Sequence, residues 1–315
     1  MQEQAYMGLP HCGRLSNGTV EAVVSLDVGP RVLRYGLVGG DNVFGEYPHL
    51  STPTELGDWK PYGGHRLWAA PEAMPRSYAP DNTPIQCTPQ SDLCARLTQP
   101  TDAVGLQKEI TVTLAPQGTS VALRHTLTNH NRWTIPLAPW CSTIMRGGTA
   151  IIPQEPFRSH DNDLSPSRPL ALWSFTDLSD PRWAVGGKLI WLRADADRRE
   201  PQKMGALNKQ GWCAYHRQGT LFVKRFAWLP GQEYPDFGCN NAVYAAGDYM
   251  EIESLGSMQA LEPGATAHHA EWWHLFSGVT LNEDEMAATL APLIAQTTPA
   301  QDAGDRDSCT NIGKP

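Results

Sequence analysis

The sequence lacks the features that mark several large classes of protein. Lysine and arginine number 25 against 33 acidic residues, a formal net charge of −8, and they form no basic stripe. Because nucleic acids are bound by clustered cations, this balance argues against a nucleic-acid partner. No apolar run reaches about 18 residues, so we expect no membrane span. The N-terminus has neither the basic start nor the apolar run of a signal peptide.

Several motifs of catalysis and metal binding are missing as well. Seven cysteines are widely spread without a Cys-x-x-Cys, which indicates reduced thiols in a cytoplasmic protein. There is no phosphate-binding glycine loop, nucleophile elbow or dinucleotide fingerprint. The histidines and glutamate of residues 268–274 alternate between strand faces, so this stretch alone builds no metal site. We therefore expect neither a cofactor nor a metal.

Turn-forming residues and a period of two dominate the chain. It contains 28 glycines and 26 prolines, as expected where many short strands need many turns. Residues 108–114 and 121–127 alternate apolar and polar side chains around a Pro-Gln-Gly turn, which predicts a hairpin. Similar runs predict strands at 19–26, 31–38, 188–193, 212–216, 221–228, 249–255 and 267–276. The sequence thus predicts an all-β fold, a large antiparallel sandwich.

A helical pattern occurs near the C-terminal end of the sequence. Residues 281–296 have acids in their first turn and apolar side chains at helical spacing after it. Asn282 is the expected N-cap, and Pro292 is expected to bend or end the regular helix. The predicted organisation is one β-sandwich domain over residues 1–280, a C-terminal helix over 281–297 and a disordered tail over 298–315.

Residues 62–72 (YGGHRLWAAPE) carry the groups expected of a sugar site. A glycine pair precedes His65, Arg66 and Trp68, and Glu72 follows. An aromatic face, a forked cation, a titratable base and a carboxylate together suit a polyhydroxylated ring. Adjacent His65 and Arg66 face opposite ways on a regular strand, unless a bulge at the glycines re-aims them. The structural alternative is an arginine that pairs with Glu72 and holds a loop.

Two further candidates lie on predicted strands. Lys224 shares a strand face with aromatic residues. A cation in that position needs a buried acid or an anionic ligand group, and Asp236 is a candidate for the acid. His125 shares its face with leucine and valine, which is typical of a core histidine and leaves catalysis as the second reading.

Part of the sequence resembles a known superfamily of proteins. The resemblance lies in four stretches, at 27–35, 62–72, 128–145 and 234–258. They resemble the galactose-mutarotase-like superfamily, and more closely a bacterial branch related to aldose 1-epimerases and hexose-6-phosphate epimerases. The resemblance implies an antiparallel β-supersandwich with a sugar site on the concave face of its larger sheet. In that superfamily a glutamate removes the anomeric proton while a histidine protonates the ring oxygen. The ring then opens and recloses as the other anomer.

The resemblance can be carried over to single positions of this chain. Glu253 matches the catalytic glutamate, with Glu251 on the same strand face as the alternative register. Arg66 matches the substrate-binding arginine. The histidine expected near Trp140 is absent, which leaves His65 or His125 to supply the proton. The expected substrate contacts are Arg66, Trp68, Trp140, Lys224 and Asp236.

Three functions follow, in decreasing order of support. The first is an enzyme that catalyses mutarotation or epimerisation of a small carbohydrate, and Arg66 with Lys224 favours an anionic sugar. The second is a non-catalytic carbohydrate-binding module on the same fold. The retained glutamate favours the enzyme and the absent histidine favours the module. The third is a scaffold whose helix and tail dock another protein. Apolar side chains exposed on the helix would support this third hypothesis. Analogy of fold is a weak argument for function.

Overall fold

Antiparallel strands dominate the regular secondary structure of the computed structural model, which describes residues 1–297. The larger sheet, here called the first sheet, has twelve strands. Ten form a continuous path in the order β1 (Gln2–Tyr6), β2 (Leu9–Ser16), β3 (Val20–Ser25), β4 (Arg31–Leu37), β8 (Tyr62–Ala70), β13 (Ile135–Arg146), β22 (Tyr249–Leu255), β21 (Asn241–Ala246), β18 (Gln202–Ala206) and β15 (Leu170–Leu172). Beside this path, β23 (Gln259–Leu261) pairs with β13 and β5 (Glu46–Tyr47) pairs with β8.

The second sheet has ten strands. Their order is β16 (Trp183–Val185), β17 (Leu189–Arg193), β14 (Thr149–Pro153), β19 (Trp212–Arg217), β20 (Thr220–Phe226), β24 (Thr266–Phe276), β12 (Val121–Asn129), β11 (Leu106–Leu114), β10 (Cys94–Thr98) and β9 (Gln86–Ser91). A separate hairpin consists of β6 (Thr52–Thr54) and β7 (Gly57–Trp59). The short helical segments are a 3-10 turn at Arg76–Tyr78 and the helix α2 (Met286–Ala295). The segment α1 (Pro235–Gly238) is a single turn in which Asp236 and Phe237 have positive φ.

The two large sheets pack face to face around the main hydrophobic core. The first sheet contributes Leu67 and Ile252 to this core, and the second contributes Ile110, Phe222 and Trp273. The face of the first sheet that points away from the second sheet is called the outer face below. The predicted antiparallel all-β sandwich is confirmed, and so is the hairpin of β11 and β12.

Helix α2 begins later than its acidic residues suggest. It starts at Met286, and Asn282 accepts a hydrogen bond from the Asp284 amide in the preceding turn instead of capping the helix. Pro292 lies inside the helix, which continues to Ala295. The apolar side chains of α2 are buried against the second sheet, so they do not form the exposed docking surface that a scaffold needs. The predicted tail, 298–315, lies outside the described residues.

Neither α-helix of residues 1–297 has the length and hydropathy needed to cross a bilayer.

A network of polar side chains crosses the core between the two sheets. Lys224 on β20 donates to Glu271 on β24 at 3.0 Å and to the carbonyl oxygens of Cys141 on β13 and Ile252 on β22 at 3.4 and 3.2 Å. Glu271 also accepts from Ser254 Oγ at 2.6 Å and Trp273 Nε1 at 2.7 Å. Each of the three lysine protons therefore has an acceptor, and the buried carboxylate is fully hydrogen-bonded.

Three buried histidines extend this network. His125 Nδ1 lies 3.1 Å from the carbonyl oxygen of His269 and donates to it, so its Nε2 accepts from His65 Nε2 at 2.7 Å. His65 Nδ1 then accepts from Thr143 Oγ1 at 2.8 Å. Burial lowers the pKa of His125 and His269 to about 3 and that of His65 well below its usual value. All three imidazoles are therefore neutral at pH 7.

We predict that Lys224→Met destabilises the fold by about 3–5 kcal/mol, because it leaves the Glu271 carboxylate buried without its cation. The measurement is the free energy of unfolding in urea. Arg146→Met is the matched control, since its ion pair with Asp248 has side chains that are 60% and 45% exposed. We expect that variant to stay within about 1 kcal/mol of the wild type. Equal losses in both variants would contradict a special role for the buried pair.

We also predict that stability falls as the pH drops below about 6.5. The unfolded chain protonates its histidines near the ordinary pKa of 6.5, whereas folded His125 and His269 resist protonation down to about 3. Each can therefore contribute a slope of up to about 1.4 kcal/mol per pH unit in that window, with full stability above it. Urea unfolding at pH 5 to 8 measures the slope. His125→Asn should reduce it, and substitution of exposed His49 should not.

Candidate functional site

The register of the first sheet gathers polar side chains on its outer face. Arg66 on β8 lies opposite Ser142 on β13, which lies opposite Glu253 on β22. One row along, Glu251 lies opposite Tyr244 on β21, which lies opposite Lys203 on β18. Side chains directly opposite each other point to the same face. Five neighbouring strands therefore place two cations and two carboxylates on one surface.

Aromatic rings surround these charges. The Arg66 guanidinium lies between the rings of Trp59 and Trp68, with Cζ 4.6 and 3.9 Å from their centroids. Trp68 in turn packs edge-on against Trp140, with centroids 4.7 Å apart. Lys203 Nζ lies 4.8 Å from the Trp140 centroid. Cation–π contact of this kind orients both cations without using up their hydrogen-bond donors.

The two glutamates have different partners. Glu251 accepts from Ser142 Oγ at 2.9 Å, from Arg66 Nη2 at 3.4 Å and from the Tyr249 hydroxyl. Glu253 accepts from Trp140 Nε1 at 3.0 Å through Oε2. Its other oxygen, Oε1, lies 3.4 Å from Lys203 Nζ and has no hydrogen-bond donor within normal geometry. Glu251 is thus firmly held, and Glu253 keeps one oxygen available.

This difference separates the pKa values of the pair. Burial pushes the Glu251 pKa upward, but the Arg66 guanidinium and the Tyr249 hydroxyl outweigh it and leave the pKa below its ordinary value. Burial raises the pKa of Glu253 to about 7, with the charge of Glu251 adding to the rise and Lys203 opposing it. Glu251 therefore stays ionised, and Glu253 exchanges a proton near neutral pH. Such poise is what acid–base chemistry requires.

Three buried polar atoms of the site have no hydrogen-bond partner within the described residues 1–297: Arg66 Nε, Arg66 Nη1 and Glu253 Oε1. A buried donor or acceptor without a partner costs about 1–3 kcal/mol. The two donors and one acceptor would match hydroxyl groups of a ligand, which both donate and accept.

The structure brings most of the predicted substrate residues together. Trp68, Trp140 and Arg66 lie on the outer face with Glu253, and Arg66 pairs with Glu251 rather than with Glu72. Glu72 instead accepts from the Tyr78 hydroxyl. Asp236, in the turn before β21, is close enough to Lys203 that the ammonium group opposes the rise that burial causes in its pKa.

His65, His125 and Lys224 lie on the other side of the first sheet. All three are fully buried in the network between the sheets, where the partner of Lys224 is Glu271 rather than Asp236. The glycine pair does not re-aim His65. Gly63 and Gly64 have φ of 107° and 69°, and a Cβ on either would overlap the carbonyl oxygens of Gly45 and Val32. The pair allows close backbone approach, and strand alternation still separates His65 from Arg66.

Lys203 is the functional candidate that the sequence did not reveal. It lies in Gln202–Ala206, a run without apolar alternation, so no strand was predicted there. Trp59, Ser142 and Tyr249 were missed as well, since only tertiary contacts bring them to Arg66 and Glu251.

Among residues 1–297, two groups of side chains have potential ligand atoms within 4.8 Å of one another, as a metal site would need. They are His65, His125 and Cys141, and Cys141, His269 and Glu271. Both belong to the core network. There the ring nitrogens of His65 and His125 face each other at 2.7 Å, and Glu271 is taken by Lys224. Hydrogen bonding accounts for these groups.

Comparison with known proteins supports the fold. No family model and no curated protein matches the sequence. Among solved structures, a galactose mutarotase-like protein from Lactobacillus casei is 12% identical, with a TM-score of 0.51 over 84% of this chain and 100% of that one. A protein from Synechocystis sp. PCC 6803 is 11% identical, with a TM-score of 0.52 over 89% of this chain and 100% of the other.

A third similar structure is a TPR-domain containing protein from Parabacteroides distasonis, which is 14% identical with a TM-score of 0.56. The match covers 86% of this chain but spans only 48% of that protein. At these identities the likeness concerns the fold. The chain has the galactose mutarotase-like β-sandwich fold, as its sequence resemblance led us to expect.

Proposed function

We propose that the outer-face site binds a small carbohydrate and catalyses proton transfer at its anomeric centre, as a mutarotase or aldose 1-epimerase-like isomerase. The observation that carries the proposal is Glu253. Its pKa is raised to about 7, one oxygen has no hydrogen-bond donor, and Lys203 and Trp140 flank it. A carboxylate in this state suits the removal of a proton from a sugar hydroxyl.

In the proposed reaction, ionised Glu253 accepts the proton of the anomeric hydroxyl. The C1–O5 bond breaks as the carbonyl forms, and its electron pair leaves a negative charge on O5. The aldehyde group rotates about the C1–C2 bond, O5 attacks the other face of the carbonyl carbon, and Glu253 returns the proton to the exocyclic oxygen. Lys203 provides a positive hydrogen-bond donor for the ring oxygen. Burial opposes protonation of Lys203, but the carboxylates around it raise its pKa overall. It therefore stays protonated and acts chiefly through its charge.

Arg66 and the aromatic rings would hold the sugar. Trp68 and Trp140 offer apolar faces for the C–H side of a pyranose, and the free Arg66 donors fit its hydroxyl groups. The expectation of an anionic sugar relied on Arg66 together with Lys224. Both cations of the site itself, Arg66 and Lys203, are already paired with glutamates. The substrate panel should therefore include neutral, acidic and phosphorylated sugars.

A non-catalytic carbohydrate-binding module is the second candidate. It is favoured by the position of the histidines, because His65 and His125 lie in the core and no histidine among the described residues contacts Glu253. Such a module would bind the same sugars without exchanging their anomers.

We predict that Glu253→Gln lowers the rate of anomeric exchange by roughly 10²-fold or more while sugar binding persists, because glutamine keeps the size but loses the base. Saturation-transfer NMR on the sugar panel measures binding, and magnetisation exchange between anomers measures turnover. Exposed Glu262→Gln is the control. Binding without exchange in the wild type would identify a binding module, and absence of binding to every sugar would refute the carbohydrate proposal.

We predict further that the exchange rate rises with pH through about 7, since the base works only when Glu253 is ionised. Lys203 attracts the ionised form and so lowers this pKa. Lys203→Met should therefore move the midpoint of the pH–rate profile upward, whereas exposed Lys188→Met should leave it unchanged. A midpoint that does not move would show that Lys203 does not act on Glu253.

A further inference from the structure

The site is closed to solvent. Arg66 and Glu253 are each 1% exposed, and Lys203 is 6% exposed. No sugar can touch the free Arg66 donors in this arrangement, so some part of the protein has to move before the site can be used. The strands of the first sheet are held on both sides by neighbours and from below by the core network. The part that moves must therefore be a segment that covers the outer face of the first sheet.

The hairpin β6–β7 carries Trp59, whose ring lies over Arg66. Within the described chain its two strands pair only with each other. Residues 52–58 are exposed or half-buried, and Trp59 is the buried member of the hairpin. Asn82 Nδ2 donates to the Asp58 carbonyl at 2.6 Å. Segments with few buried apolar contacts open at low free energy.

Trp59 covers the guanidinium of Arg66. Its ring lies over Arg66 and packs against Trp68 and Tyr78 with centroid distances of 5.3 Å to each. The chain after it is fixed, because the Arg31 guanidinium donates to the carbonyl oxygens of Lys60 and Pro61 at 3.2 and 3.1 Å. Because Lys60 and Pro61 are held in this way, opening of the hairpin would rotate the backbone at Trp59, ahead of the held segment, and would leave β8 in place.

We propose that the hairpin 52–59 is a cover on this site and that Trp59 is its gating residue. In the closed state Trp59 occupies the face of Arg66, and opening exposes Arg66 Nε and Nη1 to a hydroxyl-bearing ligand. The ring of the ligand then competes with the indole for the same aromatic and cationic surface. The nature of that ligand rests on the proposed function, but the opening itself does not.

The test measures Arg66 in the absence of any sugar. Phenylglyoxal reacts with accessible arginines, and peptide mass spectrometry reports the rate at Arg66. We expect slow modification in the wild type and at least roughly tenfold faster modification in Trp59→Ala, because removal of the buried ring lowers the free energy of opening. Trp59→Phe keeps an aromatic cover and should react nearly as slowly as the wild type. Trp133→Ala is the control, since Trp133 is 63% exposed.

Hydrogen–deuterium exchange on the wild type gives a second reading that needs no variant. The amides of residues 52–59 should exchange much faster than those of β8. Exchange as slow as that of β8, or equal Arg66 modification in wild type and Trp59→Ala, would overturn the proposal. Adding D-galactose or D-glucose separates it from the proposed function: a sugar that binds should protect Arg66. Fast opening without protection by any sugar in the panel would sustain the gate and refute the carbohydrate site.

Discussion

Lys224 connects the two sheets at the point on which the site depends. Its ammonium group reaches across the core from the second sheet and bonds to the backbone of β13 and β22, the strands that carry Ser142 and Glu253 on their opposite face. Glu271 supplies the countercharge. Since a buried cation needs every donor satisfied, these contacts fix the position of both strands relative to the second sheet. The positions of the Glu251 and Glu253 carboxylates, which β22 carries on its outer face, depend on these contacts.

The two faces of the first sheet use burial in opposite ways. Inside, desolvation lowers the pKa of His65 and its neighbours, so the imidazoles remain neutral and act as hydrogen-bonding core residues. Outside, desolvation raises the pKa of Glu253 towards neutrality, where it can exchange a proton. Burial thus keeps the imidazoles of the inner face uncharged and moves the pKa of Glu253 on the outer face towards neutrality. His65 and Arg66 lie on different sides because they are adjacent on one strand.

The closed site buries polar atoms that have no hydrogen-bond partner among the described residues, which lowers the stability of the folded state. The unpaired atoms of Arg66 and Glu253 destabilise the folded state by about 1–3 kcal/mol each. The rings of Trp59 and Trp68 offset part of this cost through their cation–π contacts with the Arg66 guanidinium. A ligand that supplies the missing hydrogen bonds would remove the cost of the unpaired atoms while it displaces the ring of Trp59. A ligand with hydroxyl groups could pair with these polar atoms, whereas an apolar molecule would leave them without partners.

By itself the sequence determined the all-β class and the hairpin of β11 and β12, since alternation is a local signal. Its resemblance to a known superfamily singled out Arg66, Trp68, Trp140 and Glu253 as candidates, and the pairing of β8, β13 and β22 brought them together. Tertiary structure decided the rest. It assigned Lys224 to the core because Glu271 lies there, and it brought Lys203 to Glu253 from a strand with no alternating pattern. The start of α2 at Met286 was likewise set by packing on the second sheet rather than by the preceding acids. Period-two alternation tells which residues share a face, but only the pairing of strands tells which face meets the core and which meets a ligand.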